Sequence, residues 1–266
     1  MRRRLDAYRH LAAASARTVL VYRANYVTSI IGALLQILLL KVVWTAVYAG
    51  RDEVDGVELS TMVAYVTLSS LQMWFLMQSS TSMVPERVRE GKIAADLLRP
   101  IGLLEQTFAG QLGRACVMLP LAAMVLPLAL IVGDMRPPAS LAAGVGYLVS
   151  LVLAIAIALL IGAILGLIAF WTLEVRGILF VYRHISQFLS GALVPLWFMP
   201  DWLRLLAEML PFQAVAATPV SIYLGRLSSD SAVRAIALQA MWVILLYVVG
   251  RIVWRGALRK VVIQGG

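Results

Sequence analysis

The run from Ser140 to Trp171 contains no charged side chain. A bilayer core about 30 Å thick is crossed by roughly 20 apolar helical residues. This run is longer than one upright crossing needs, so it must tilt or project beyond the hydrocarbon. Ala142, Gly146, Ser150, Ala154, Ala158, Gly162 and Gly166 place a small residue at every fourth position along it. Such a ridge lets a neighbouring helix approach closely. It says that helices pack here and does not say what passes between them.

Further apolar runs surround this one. Spans are predicted over Asn25–Tyr48, Ser60–Met83, Thr107–Val132, Ile178–Val194 and Ala232–Val249, making six with Ser140–Trp171. The chain of 266 residues is 61% hydrophobic and 14% charged, against about a quarter charged for a soluble domain. Its net charge of +9 would suit nucleic acid, but the charges sort by side of the membrane. Seventeen of the 23 lysines and arginines fall on one side, five on the other, and Lys41 inside a span. The positive-inside rule puts the first side, with both termini, in the cytoplasm and removes nucleic acid as a partner. The first 24 residues carry too many arginines and no continuous apolar core for a secretory signal. Cys116 is the only cysteine, so no internal disulfide forms, and it is expected to pack as a small apolar residue.

Residues 1–23 read as an interfacial helix, with Leu5, Tyr8, Ala12, Val19 and Tyr22 near one face; a disordered basic tail is the alternative. In the first span Gln36 and Lys41 are polar, and Lys41 can snorkel to the outer interface. The second span carries Ser69, Gln72, Ser79 and Met83 at helical spacing. These side chains either bond across helices or form a wall facing a substrate. Pro120 and Pro127 predict kinking in the third span. Glu174 can pair with Arg176 or Arg183 near the inner interface. Asp201–Leu210, between Pro200 and Pro211, is too short to cross a bilayer and is expected to be re-entrant or interfacial. Arg251, Arg255 and Arg259 form an i,i+4 ladder suited to phospholipid headgroups, so membrane lipid is an expected partner.

The longest polar interruption on the cytoplasmic side is Val84–Leu104, VPERVREGKIAADLLRPIGLL. Pro85 opens a helical turn, since its missing N–H would be unpaired there anyway. Gly91 breaks it by tolerating positive φ. A second short helix fits Ile93–Leu98, ended by Pro100, with Arg99 pushed towards extended geometry. Ile93 and Leu97 share a face, Leu98 lies alongside, and Arg87, Arg89, Lys92 and Arg99 surround them. The spacing fits a docking knob ringed with charge, and it fits an ordinary positively rimmed loop.

The glycine after the second span, the short helix and the Leu97-Leu98-Arg99-Pro100-Ile101 run resemble the type-2 ABC transporter permeases. So does the later order of Gly191-Ala-Leu-x-Pro-Leu, Met199-Pro-x-Trp-Leu and Leu210-Pro-Phe. The likeness runs through nearly the whole chain, 1–266, as one permease domain. It implies an all-α membrane protein of six transmembrane helices with an N-terminal interfacial helix (1–23), a cytoplasmic coupling-helix loop (84–104) and an outer re-entrant hairpin (196–230) before the last span. It implies that Arg89, Gly91, Ile93, Leu97, Leu98, Arg99, Pro100 and Ile101 seat on a separate ATPase. Two ATPase subunits, which hold the ATP and Mg, and a second permease chain, identical or related, are the implied partners. The implied location is a bacterial inner membrane. The implied pathway runs at the permease–permease interface along the first, second and fifth spans, with Gln36, Ser69, Gln72, Ser79 and Phe188 as its candidates.

The residues exclude other chemistry. No phosphate loop is present: Gly91-Lys92 is followed by Ile93, and Glu86 stands where the first glycine would be. His10 and His184 are the only histidines, no zinc motif exists, and no nucleophile has a histidine at a suggestive position. No Asp or Glu lies mid-span, where an ion-coupled carrier needs one. The expected chain is a transporter subunit, without enzyme activity, catalytic residues, metal or cofactor of its own, that moves an amphipathic substrate (drug, natural product or lipid) outward. A lipid-modifying membrane enzyme and an ATP-independent carrier are the rival functions.

Overall fold

The structure is a computed structural model and describes residues 10–14, 17, 23–99, 101–133, 135–172 and 175–264. It is helical almost throughout. Helix α1 spans Arg23–Tyr48 and α2 spans Leu59–Ser79, with strands β1 (Glu53–Val54) and β2 (Val57–Glu58) between them. Two short helices follow, α3 (Val84–Arg89) and α4 (Ile93–Leu97). Then come the long helices α5 (Leu103–Val132) and α6 (Leu141–Leu167), the latter extended by a 3₁₀ turn at Ile168–Phe170. Helix α7 (Arg176–Leu189), a 3₁₀ turn at Leu196–Phe198, α8 (Asp201–Glu208), α9 (Ala217–Tyr223) and α10 (Ser229–Gln264) complete the chain.

Five helical stretches among the described residues are long and apolar enough to cross a membrane: Ala24–Tyr48, Leu59–Arg89, Leu103–Pro127, Leu141–Phe170 and Ser229–Lys260. They match five of the expected spans. The expected span Ile178–Val194 is instead the 14-residue helix α7. At 1.5 Å per residue it reaches about 21 Å, short of a full crossing. Its end is set by Gly191, whose φ of +81° turns the chain where a side chain would meet the Tyr65 hydroxyl and the Ala217 methyl group. The expected interfacial helix over 1–23 lies mostly outside the described residues; 10–14 are helical, and Ala12 packs so closely on α5 that a Cβ at Gly113 would strike its carbonyl. Pro120 and Pro127 both lie within α5, which continues through them.

Helix α2 is the buried centre. Its apolar residues meet α5 and α6 in one cluster built from Met73, Phe75, Leu76, Met118, Ala154, Ile157 and Ala158. Helices α1 and α10 lie outermost and turn rows of large apolar side chains outward, among them Leu35, Leu39 and Val42 on α1 and Ile244, Val248 and Ile252 on α10. In a bilayer such rows contact lipid tails, and helix association there rests on close packing and hydrogen bonds. The small-residue ridge of α6 is that kind of contact. Ala154 and Ala158 lie in the central cluster, a Cβ at Gly162 would collide with the Ser80 carbonyl, and one at Gly166 with the Ser82 hydroxyl.

At the end of α1 the strands pair Glu53 with Glu58 and Val54 with Val57. Asp55 and Gly56 both have positive φ, the geometry that Asp-Gly supplies in a tight hairpin. Cys116, expected among packed apolar groups, is exposed. It lines an open apolar groove between α5, α6 and α10.

Candidate functional site: a charged loop and a cleft beside it

The loop from α3 to α5 is built as its sequence predicts. Pro85 sits at the start of α3, and Gly91 takes φ +68°. Lys92 N–H then donates to the Arg87 carbonyl at 2.9 Å and Gly91 N–H to the Val88 carbonyl at 3.1 Å, which closes α3 against α4. Lys92 Nζ approaches Glu90 Oε2 at 2.7 Å; its hydrogen bond holds the Glu90 carboxyl below the usual carboxylate range, though both groups are exposed.

Ile93 and Leu97 do not point outward, as the expected docking knob would have them. Ile93 is buried and Leu97 packs on the same cluster with Val84, Leu103, Leu167, Phe170 and Ala257. The reason is local: an apolar i,i+4 pair on a five-residue helix finds a complementary apolar surface in its own chain, at the inner ends of α5, α6 and α10. Leu98 lies one residue further round and is 88% exposed. Ile101 is buried beneath it, and Arg89 and Arg99 are exposed. Pro100 lies outside the described residues. The outward surface is therefore Leu98, Ala94 and Ala95, rimmed by Arg89, Lys92 and Arg99.

Beneath that surface is a polar centre that inspection of the sequence passes over. Asp96 is 2% exposed. Its Oδ1 accepts from Arg87 Nη2 at 2.8 Å and lies 3.2 Å from Arg99 Nη2. Gln106 Nε2 donates to the carbonyls of Asp96 at 2.7 Å and Ile101 at 2.9 Å. The available signal was that Asp96 is the only acid between Gly91 and Leu104, with basic residues on both sides.

The polar residues of α2 separate into two groups. Ser69 donates to the Ala192 carbonyl and to its own Val66 carbonyl, each at 3.3 Å; Gln72 donates to Val215 O at 2.6 Å and Ser79 to Phe75 O at 2.8 Å. Tyr65 donates to Gly191 O at 3.0 Å, and Gln239 of α10 to Ala214 O at 2.7 Å. Of these, Tyr65, Ser69, Gln72 and Gln239 satisfy the irregular backbone of residues 191–216, whereas Ser79 bonds within its own helix. Tyr65 and Gln72 lie about 9 and 20 Å along α2 at helical rise, at depths where no water would do the same work. Ser69, Gln72 and Ser79 are thus buried inside the protomer and line no opening.

The opening lies on another face, between α1, α2 and α7. A cleft of about 220 Å³ is lined there by Gln36, Ser70, Trp74, Gln78, Arg183 and Gln187, among others. Trp74 Nε1 is fixed by a 3.2 Å bond to the Ser29 hydroxyl. A second cavity of about 90 Å³ shares Met77 and Arg183 with the first. A third of about 280 Å³ shares Ser82, Pro85 and Leu179 with the second and reaches Glu86, Arg89 and Arg176 beside the charged loop. Together they make one groove along α7, from mid-helix to the charged loop. Gln36 lines it, and Phe188 sits part-exposed on α7 outside it. Arg183 was noticed in the sequence only as a pairing partner for Glu174, which lies outside the described residues.

Five helices long and apolar enough to cross a membrane, with a charged loop beside a polar groove, mark a multi-pass helical membrane protein. The family described as ABC-2 family transporter protein matches residues 30–265, and the chain belongs to that family. It is the membrane component, and the family's members work with an ATPase partner. No curated protein matches the chain.

Proposed function

We propose that this chain is the permease subunit of an ATP-driven exporter that moves an amphipathic substrate out of the cytoplasm or the inner leaflet. The energy comes from a separate pair of ATPase subunits, and a second permease chain completes the membrane unit in a bacterial inner membrane. In this arrangement α7 and the turn after it form a shallow fifth crossing. Residues 196–230 form an outer re-entrant hairpin, and both termini are cytoplasmic.

The observation that carries the reading is the construction of the α3–α4 loop. Its apolar face is anchored into α5, α6 and α10, and the Arg87–Asp96–Arg99 cluster stiffens it. Leu98 is left outward within a rim of positive charge. An exposed apolar anchor on a stiff support suits a partner that pushes on it. The groove along α7 opens beside the same loop, which supports a path whose mouth responds to that push. Gln36 and the groove-lining amides are its wall, whereas Gln72 holds the hairpin, Ser69 the turn before it, and Ser79 its own helix.

Purification in mild detergent tests the reading. An ATP-hydrolysing subunit should accompany the chain, and inverted vesicles holding both should accumulate an amphipathic dye only with ATP. Transport that proceeds equally without nucleotide would favour an ATP-independent carrier instead.

A further inference from the structure

We infer that the groove selects substrates bearing an anionic headgroup, with Arg183 as the group that receives it; this rests on the groove being part of the substrate path. Arg183 is on α7, seven residues from its start, about 10 Å along the helix. It lines both the first and second cavities. Among the described residues no carboxylate pairs with it, and neither of these two cavities has an Asp or Glu in its described lining. A cation with no carboxylate partner among the described residues, facing a groove within a membrane protein, suits a partner from outside the chain.

A second observation points the same way. Ser70 is 4% exposed and lines the groove, yet its hydroxyl has no hydrogen-bond partner among the described residues. A buried hydroxyl without a partner is costly unless a ligand supplies one. Gln36, Gln78 and Gln187 add amide N–H donors around the same space, and Gln187 is one helical turn from Arg183. Met73, Trp74 and Met77 lie along α2 between Ser70 and Gln78 and add apolar surface that suits an alkyl chain. The first two cavities thus join donor-rich, acid-free walls to apolar surface, while Glu86 lies farther out, in the third. A guanidinium binds a phosphate, sulfate or carboxylate with paired donors and repels a quaternary ammonium.

Trp74 provides the test. The permease is placed in nanodiscs of phosphatidylcholine and titrated with terminally brominated dodecyl sulfate, dodecanol and dodecyltrimethylammonium. Quenching is assigned to the groove by its loss in Trp74→Phe. The sulfate should quench at roughly tenfold lower concentration than the alcohol, as one charge-assisted bond provides, and the ammonium least. Arg183→Gln should remove that preference, and Arg183→Lys should keep part of it. Gln187→Glu, which places a carboxylate one turn from Arg183, should also remove it and serves if Arg183→Gln fails to fold. In parallel, nanodiscs doped with brominated phosphatidylglycerol show whether a membrane lipid supplies the anion: quenching there assigns a lipid, and quenching by the sulfate alone assigns a free amphiphile. Equal quenching by sulfate and alcohol, no quenching of Trp74 by any probe, or a preference that survives both variants overturns the inference. Because no ATPase is present, none of these results depends on the exporter reading, which stands or falls on the purification.

Discussion

Arg87 and Asp96 meet at 2.8 Å across the gap between α3 and α4, and Asp96 is almost fully buried there. Arg99 shares the same carboxylate oxygen, and Gln106 ties the Asp96 carbonyl to the first turns of α5. The loop is therefore one rigid piece with the helix behind it. Replacing Asp96 by Asn leaves two guanidinium groups facing each other without their common anion. Breaking a fully buried pair costs about 3–5 kcal/mol. Both arginines keep contact with water, so the expected loss is smaller, on the order of 2 kcal/mol. A lower melting temperature in detergent, with ATPase binding weakened but insertion intact, is the expected result for Asp96→Asn. An unchanged melting temperature would show that the pair stiffens nothing.

Ile93 and Leu98 are five residues apart and face opposite ways. Leu98→Asp should abolish capture of the ATPase and leave the elution profile of the permease unchanged, because the side chain is 88% exposed. Ile93→Asp puts a charge into the cluster of Val84, Leu103 and Phe170. Burying an unpaired carboxylate costs several kcal/mol, so that variant should aggregate or fall in yield before binding is tested. The opposite pattern, a stable Ile93→Asp that no longer binds ATPase, would mean that Ile93 swings outward on docking.

Gln72 and Gln239 offer a test of what the polar stripe does. Gln72→Leu leaves the Val215 carbonyl without its donor, and Gln239→Leu does the same to Ala214 while freeing Ser150. Each lost bond should cost about 1–2 kcal/mol of stability. Selectivity among transported dyes should not change. A shift in selectivity at constant melting temperature would return Gln72 to the substrate path.

Much of this architecture is legible in the chain itself. Long apolar runs have one outcome in a bilayer, so α1, α2, α5 and α6 fall within a few residues of their expected bounds, while α10 continues past Val249 to Gln264 and carries Arg251, Arg255 and Arg259 with it. Gly91 and Pro85 mark the loop because each has a specific backbone use. The direction in which short elements face is another matter. Ile93 and Leu97 form an apolar pair that would fit an external groove or an internal one, and only the tertiary placement of Leu103, Leu167 and Phe170 decides. Ser69 and Gln72 are likewise ambiguous, since the carbonyls they serve come from residues about 120 to 140 positions away. Arg183 and Gln187 lie on a short helix, and nothing local brings them beside Gln36 and Gln78.

The last test concerns the ridge on α6. Gly162 faces the Ser80 carbonyl and the amide of Gln111, which itself donates to that carbonyl at 2.6 Å. Even a methyl group at 162 collides with main chain, and backbone at a helix end has little freedom to retreat. Gly162→Ala should therefore be destabilising by an amount typical of overpacking, about 1–3 kcal/mol, and Gly162→Leu should prevent assembly. Gly177, at the first turn of α7, has open space around it, so Gly177→Ala is the matched control and should leave the melting temperature in place. Because Ser80 follows directly on α2 and precedes the charged loop, the same variant should also loosen the connection between that loop and the bundle. ATP hydrolysis measured with and without a transported dye reads this out: Gly162→Ala should retain basal hydrolysis and lose its stimulation by dye. Equal stability of Gly162→Ala and the parent chain would show that α2 and α6 are not in close contact here.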